Sequence, residues 1–281
     1  YNFKRHFKPV AIFFAMSCAT TIYTNLDSVM LGFMATNADV GYYGAAVKIK
    51  NILVSIVTSL GTVLLPRAAY YIEHQQMDEF KKLSKKALNF VFLVASPMMI
   101  YFMLFAKQGI YFLSGDAFGP AVVPMQLIMP TLLLIGITNI LGIQILVPLG
   151  YEKAVLVSEI VGAIIDLVVN ALLIPVYQSS GAAIGTLLAE FAVMVVQCIA
   201  LKNEIKTAFS DIKYLKIILA IILASLASYW VTALNLHVFI TLVISAILFF
   251  GVYGLVLIIT KEKLVIEILT QIFNKLKHRS A

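Results

Sequence analysis

Eight runs of about twenty predominantly apolar residues follow one another along this chain, each long enough to cross a bilayer's hydrocarbon core as a helix. They fall near 9–34, 41–65, 86–106, 121–148, 154–176, 181–201, 214–234 and 237–260. The runs are continuous, without the period-two alternation that marks the ten-residue strands of an outer-membrane barrel. A soluble core could not bury them, because 61% of the residues are hydrophobic and only 12% are charged. The fold class is therefore all-α: a polytopic membrane helix bundle of about eight transmembrane helices. No connection, including the longest at 66–85, has room for a soluble domain.

The 21 Lys and Arg residues give these runs a topology. Lys4, Arg5 and Lys8 precede the first run, and Arg67, Lys81, Lys82, Lys85 and Lys86 lie between the second and third. Lys153 joins the fourth to the fifth; Lys202, Lys206, Lys213 and Lys216 join the sixth to the seventh. Lys261, Lys263, Lys275, Lys277 and Arg279 follow the eighth. All of these fall on one side of an alternating chain, whereas the opposite loops hold only Lys107. The positive-inside rule makes the lysine-poor side external and places both ends of this chain in the cytoplasm. The net charge of +7 is thus a signal of topology, with anionic lipid headgroups as its expected counterpart and no nucleic acid partner.

The closing stretch KLVIEILTQIFNKLKHR spaces Val265, Ile268, Leu269, Ile272, Phe273 and Leu276 at the helical period with lysines opposite. This predicts an amphipathic helix along the cytoplasmic membrane surface, with a solvated terminal helix as the alternative. Cys18 and Cys198 are far apart, with no His or Cys at ligand spacing, so neither a disulfide framework nor a metal site is indicated. The basic FKRHFK stretch is followed by an apolar run too long for a signal peptide. Because the chain begins with Tyr1, it is read as the C-terminal part of a longer protein.

Six charges lie inside the spans: Asp27, Lys48, Lys50, Glu159, Asp166 and Glu190. Each costs at least about 2.5–3.5 kcal/mol at the centre of a lone spanning helix, so each is expected to face a partner or a wet cavity. Asp27 and Lys48 both lie roughly 10 Å below the outer ends of adjacent antiparallel spans, at 1.5 Å per residue. An Asp27–Lys48 ion pair is the first expectation. Ser17, Thr20, Thr24 and Asp27 share one face of span one, and Gly44, Lys48, Asn51, Ser55 and Ser59 share one face of span two. Two such stripes predict a wet groove. Lys50 is rotated by about 200° from Lys48, so the two cannot point straight at one partner.

Glu159, Asp166 and Asn170 share a face of span five, and Glu190 in span six lies near the depth of Asp166. Ionised carboxylates at one depth repel, so Asp166 and Glu190 either face apart or share a proton or a cation. A purely structural alternative has the acids tying helices together through Ser, Thr, Asn or backbone groups. The sequence GAAIG at Gly181–Gly185 is a small-xxx-small pattern for close helix packing. Pro97, Pro124, Pro130, Pro148 and Pro175 are positioned to kink helices. Tyr42, Tyr43, Tyr70, Tyr71, Tyr101 and Trp230 read mostly as interfacial anchors. A faint internal echo sets Lys50 nine residues after Gly41 and Glu190 nine after Gly181.

The fragments YTNLDSVMLGFMATNADVGYYGAAVKIKNI, LGTVLLPRA, GYEKAVLVSEIVGAIIDLVVNALLIPVY and SSGAAIGTLLAE, in this order and spacing, carry a resemblance across nearly the whole chain. Together they resemble the oligosaccharide flippase, or polysaccharide transporter, family of the multidrug/oligosaccharidyl-lipid/polysaccharide exporter superfamily. The resemblance implies two six-helix lobes around a central cavity, with this chain as the second lobe and the N-terminal lobe as its missing partner. Residues 1–202 would form that lobe, 203–260 two additional transmembrane helices, and 261–281 a cytoplasmic amphipathic tail. The implied function is flipping of a polyprenyl-diphosphate-linked oligosaccharide across the bacterial cytoplasmic membrane by alternating access, for capsule or exopolysaccharide biosynthesis. No enzymatic activity and no cofactor are implied.

A diphosphate crossing a low-dielectric region needs cations to replace its water, a role suited to Lys48 and Lys50. Asp27 and Asn51 complete the candidate substrate cavity, and Glu159, Asp166 and Glu190 are the candidate coupling or cavity acids. Asp166 stands where family members often show Asn, so that position's role does not transfer simply. The main rival is a multidrug or organic-cation antiporter of the same superfamily, in which Asp27, Asp166 and Glu190 would bind substrate or a coupling cation. A membrane glycosyl-polymerase or ligase would be expected to present a larger external loop. A structural scaffold would tolerate neutral replacement of all six charges.

Overall fold

The computed structural model describes residues 3–209, 212–234 and 236–279, and their side chains except those of 3–9, 12, 19, 22, 23, 60, 62, 63, 203–208 and 272–279. The basic residues Lys4, Arg5, Lys8, Lys206, Lys275, Lys277 and Arg279, and apolar Ile272, Phe273 and Leu276, lie outside the described side chains. The elements run α1 (Phe3–Met34), α2 (Asn37–Glu73), α3 (Met77–Leu104), α4 (Ala106–Ser114), α5 (Val122–Ile128) and α6 (Thr131–Thr138). They continue with α7 (Glu152–Ala208), α8 (Tyr214–Tyr229), α9 (Val238–Ile259) and α10 (Lys263–Arg279). Among the described residues all regular structure is helical.

Five of these helices are long and apolar enough to cross a membrane, and a sixth crossing arises if the bent pair Asp116–Ile128 and Thr131–Leu146 counts as one. One of the five, Glu152–Lys202, holds two of the expected spans because the chain reverses at Gln178 (φ 50°, ψ −127°). Ser158 accepts a hydrogen bond from Gln197 at 3.2 Å. A β-carbon on Gly162 would lie 2.6 Å from Val193, and one on Gly185 would lie 2.0 Å from Asn170. As one partner advances the other recedes, so the arms 152–177 and 179–201 are antiparallel. With the 32-residue α1, the helices are compatible with eight crossings.

The GAAIG stretch performs the expected close packing, and its partner is the preceding arm of the same hairpin. A β-carbon on Gly181 would sit 2.5 Å from the Leu173 carbonyl oxygen. Only a residue without that carbon lets the two backbones approach so closely. Helix α1 runs parallel to the first arm, since Thr20 meets Glu159 and Asp27 meets Asn170. The turn into α2 is fixed by a capping box: Thr36 Oγ1 accepts from the Asp39 amide, and Asp39 accepts from the Thr36 amide at 3.1 Å.

Three segments depart from the sequence expectation. The span expected at 121–148 is bent by 43° around Pro130, and its second half winds into a π-helix over Asn139–Leu146. Proline removes a backbone donor and the wider π turn absorbs the register change, which sets Asn139 and Gln144 against Gly61 of α2. The stretch expected as an external loop after 106 instead forms α4 and a 3-10 turn at Asp116–Ala121, because buried Ala106, Gly109 and Ile110 give it an apolar face. Helix α3 begins at Met77, well before 86, with Asp78 and Glu79 favourably placed in its first turn.

Helices α8 and α9 pack together beside α3. Tyr101 Oη donates to the Leu242 carbonyl at 2.9 Å, and Tyr253 Oη to the Leu93 carbonyl at 2.8 Å, an antiparallel register. Tyr101 is buried in a ring cluster with Phe105 and Phe249, so it is a packing residue and not the expected interfacial anchor. Lys216 donates to the Thr260 carbonyl at 2.5 Å and caps the end of α9. Glu262 accepts from the Val265 amide at 2.9 Å and from Asn89 at 3.1 Å, fixing the start of α10 against α3.

The glycine contacts give a direct test of the hairpin. Gly181→Ala is expected to lower stability by about 1–3 kcal/mol, because its new carbon meets backbone and cannot be relieved by a side-chain rotation. Gly44→Ala, with open space at its β-carbon, is expected to be neutral. Thermal unfolding of the two variants in detergent checks both; equal midpoints would show that the arms are not in this register.

Candidate functional site

The carboxylate of Asp27 is buried, at 2% exposure, and is held by side chains from three directions. Tyr43 of α2 donates to Oδ2 at 2.5 Å, and Thr186 of the second α7 arm donates to the same oxygen at 2.9 Å. Asn170 of the first arm donates through Nδ2 to Oδ1 at 2.6 Å. Tyr43 and Thr186 also lie in hydrogen-bond contact at 2.8 Å. A buried polar group without partners is costly, and three donors offset much of the cost of taking this carboxyl group out of water.

The expected Asp27–Lys48 ion pair does not form. Lys48 is exposed, in line with Gly44, Asn51, Ser55 and Ser59, all of them exposed on one face of α2. The two residues share a depth but differ in helical phase. Tyr43 and Lys50, seven residues apart, lie on the opposite, inward face. Lys50 is buried at 8% exposure, and the carboxylates whose charge bears on its ammonium are Glu190, Asp27 and Asp166, in that order. It makes no direct ion pair among the described residues.

Asp166 is fully buried, and neither of its oxygens has a hydrogen-bond donor among the described residues. The Oδ1 of Asn170 is likewise without one. Both groups turn toward Gly185, whose missing β-carbon would lie 2.0 Å from Asn170 Oδ1 and 3.2 Å from Asp166 Oδ1. Acceptor oxygens gathered in this way, with no donor, suit either a proton or a small cation. Among the described residues no set of three His, Cys, Asp or Glu is arranged to hold a metal ion, so any cation here would use mixed carboxylate, amide and hydroxyl oxygens. Glu159 stands apart, half-buried, accepting from Thr20 at 3.2 Å.

Of the sequence candidates, Asp27, Lys50, Asp166 and Glu190 come together, whereas Lys48 and Asn51 face outward from α2. Two members were not foreseen. Tyr43 reads as an interfacial anchor in sequence, yet it is buried and bonded to Asp27. Thr186 gave one faint signal: it lies four residues before Glu190 and so shares its helical face.

The polysaccharide biosynthesis protein family matches residues 1–123. A protein of Escherichia coli bearing the name O-antigen transporter is 24% identical over 68% of this chain and 46% of its own length. One of Haloferax volcanii bearing the name flippase AglR is 22% identical over 66% of this chain and 39% of its own. The solved structure of the lipid II flippase MurJ, in an inward closed conformation, superposes with a TM-score of 0.69 at 14% identity. That match covers 88% of this chain and 53% of MurJ. The chain thus spans about half the length of the relatives it matches.

The site's cross-links make a specific demand on stability. Tyr43→Phe removes one donor to a buried carboxylate and is expected to cost about 1.5–3 kcal/mol. Phe fills the same space, so a midpoint unchanged from wild type would contradict the Asp27 contact. The helix-only architecture, the MurJ-like fold and the sequence matches agree: this is a multi-pass membrane protein that resembles the polysaccharide transporters.

Proposed function

We propose that this chain is the second lobe of a flippase that moves polyprenyl-diphosphate-linked oligosaccharides across the bacterial cytoplasmic membrane, for capsule or exopolysaccharide assembly. The observation that carries this reading is Lys48, an exposed base on a membrane-spanning helix, in line with Asn51, Ser55 and Ser59. An exposed ammonium at that depth is costly against lipid and favourable against water or an anion. A diphosphate headgroup is such an anion, and Lys48 and Asn51 would replace part of its lost hydration. The missing first lobe would close the cavity over this stripe, with the lipid tail left in the membrane. The lysine-rich ends then face the cytoplasm, as the positive-inside rule requires.

Lys50 takes a different part from Lys48 in this reading, because it is buried among acids. Asp27, Asp166, Asn170 and Thr186, with Glu190 nearby, form the coupling site, where a proton or a monovalent cation is bound and released as the lobes alternate. The same acids support the rival antiporter reading, in which an organic cation would be the cargo. The exposed lysine and the names of the relatives favour an anionic lipid-linked cargo.

A leaflet-accessibility assay with a lipid-linked oligosaccharide, on the two-lobed protein in vesicles, distinguishes these readings. Lys48→Gln is expected to reduce flipping roughly tenfold or more, the loss of one charge-assisted contact. Lys82→Gln, on an exposed cytoplasm-facing lysine paired with Glu79 at 2.7 Å, is expected to leave it unchanged. Undiminished flipping in Lys48→Gln, or efflux of an organic cation that requires Asp166, would overturn the flippase assignment.

A further inference from the structure

A second group of buried polar side chains lies toward the lysine-rich ends of the spans, away from Asp27. There Ser158 of the first α7 arm, Gln197 of the second, Gly61 of α2 and the π-helical segment Asn139–Leu146 come together. A π-helix bonds residue i to residue i+5 and so stacks residues five apart, which an α-helix would turn about 140° from each other. Asn139 and Gln144 are five apart, and the π turn brings both amides to one point over Gly61. The β-carbon that this glycine lacks would lie 2.4 Å from Asn139 Oδ1 and 2.3 Å from Gln144 Nε2. On another side of the same turn, the missing β-carbon of Gly142 would lie 2.9 Å from Gln197 Nε2.

Gln144 is only 3% exposed, and neither its Nε2 nor Asn139 Oδ1 has a hydrogen-bond partner among the described residues. Gln197 donates through Nε2 to Ser158 at 3.2 Å and leaves its own Oε1 unmatched. Buried amide groups without partners are costly, and the pattern here specifies what would match them. Both atoms at Gly61 lie within 2.4 Å of one point. No more than about 5 Å therefore separates them, a gap that two hydrogen bonds of about 2.9 Å can bridge. One atom is an acceptor and the other a donor, so a cation would oppose the Gln144 N–H groups and an anion would oppose the Asn139 oxygen. A small neutral hydroxylic molecule satisfies both.

We propose that Asn139 and Gln144 hold one buried water molecule beside Gly61, which completes the amide pair of the π turn. Water donates and accepts, so it serves each amide in either orientation. Rewinding the segment as an α-helix would rotate the two amides apart and abolish the site. A ligand that binds one of two forms favours that form, so the water holds this part of the bent span in π register.

Two measurements on the two-lobed protein test this. Magic-angle-spinning NMR in vesicles, with isotope-labelled asparagine and glutamine, reads magnetisation transfer from water to side-chain amides. The Gln144 amide, assigned through its backbone, is expected to receive it at a rate close to that of exposed Asn51. Thermal unfolding supplies the second readout. Gln144→Met and Asn139→Leu roughly keep side-chain volume, and each is expected to lower the midpoint by about 2–4 °C, because each leaves the water and the other amide short of a partner. The double variant, which expels the water, is expected to lose less than the two single losses combined.

A raised or unchanged midpoint in Gln144→Met would show that its amide had no partner to lose. Absence of transfer from water to Gln144 would show that the two amides bond each other directly or not at all. Either result would overturn the proposal, and should a variant not fold, transfer to the wild-type side chain alone decides.

Discussion

The buried carboxyl group of Asp27 is the constraint on which the arrangement of the surrounding helices depends. In lipid the hydrophobic effect does not distinguish one helix face from another, because lipid tails are as apolar as leucine. Directional bonds and close backbone contact then set the register. Asp27 draws Tyr43, Asn170 and Thr186 to one point, which fixes α2 and both α7 arms against α1 at a common depth. A slip by one residue would carry a donor out of reach and leave a buried polar group short of partners.

The bonds at Asp27 are possible only because the two α7 arms lie unusually close. Gly181 and Gly185 admit the first arm's backbone and the Asn170 side chain into space that a methyl group would fill. Asn170 can therefore turn its Nδ2 to Asp27 while its Oδ1 faces Asp166 and Gly185. The glycines shape the polar site as much as the groups that form its bonds. Close packing and site chemistry are one feature here.

Much of this was legible in the sequence, for a physical reason: a bilayer penalises charge and backbone exposure so heavily that exceptions stand out. The apolar runs, the GAAIG contact, the exposed stripe from Gly44 to Ser59 and the intramembrane acids all follow from that penalty. Partner choice was less legible. Depth along a helix can be read by counting, but the rotation of one helix against another cannot, so Lys48 was matched to Asp27 when its partner on α2 is Tyr43. Tyr43 was hidden because tyrosine suits both an interface and a buried bond. Thr186 was hidden because a threonine in a helix often bonds its own backbone, as this one also does to the Ala182 carbonyl at 3.1 Å.

Helix α2 joins the two halves of the proposed mechanism because its faces cannot turn independently. Its outward side carries Lys48, Asn51, Ser55 and Ser59; its inward side carries Tyr43 and Lys50, with Ala46, Leu53 and Val57 packed between and beyond them. A rotation or shift that brings Lys48 to an anionic headgroup also moves Tyr43 against Asp27 and Lys50 against the acids. Any free energy by which occupancy of the acid cluster biases the position of α2 must then appear, with equal size, in the affinity of the cavity for its ligand. In the proposed mechanism coupling requires no long relay, because a single helix, capped at Thr36, would present one face to the cargo and the other to the acids.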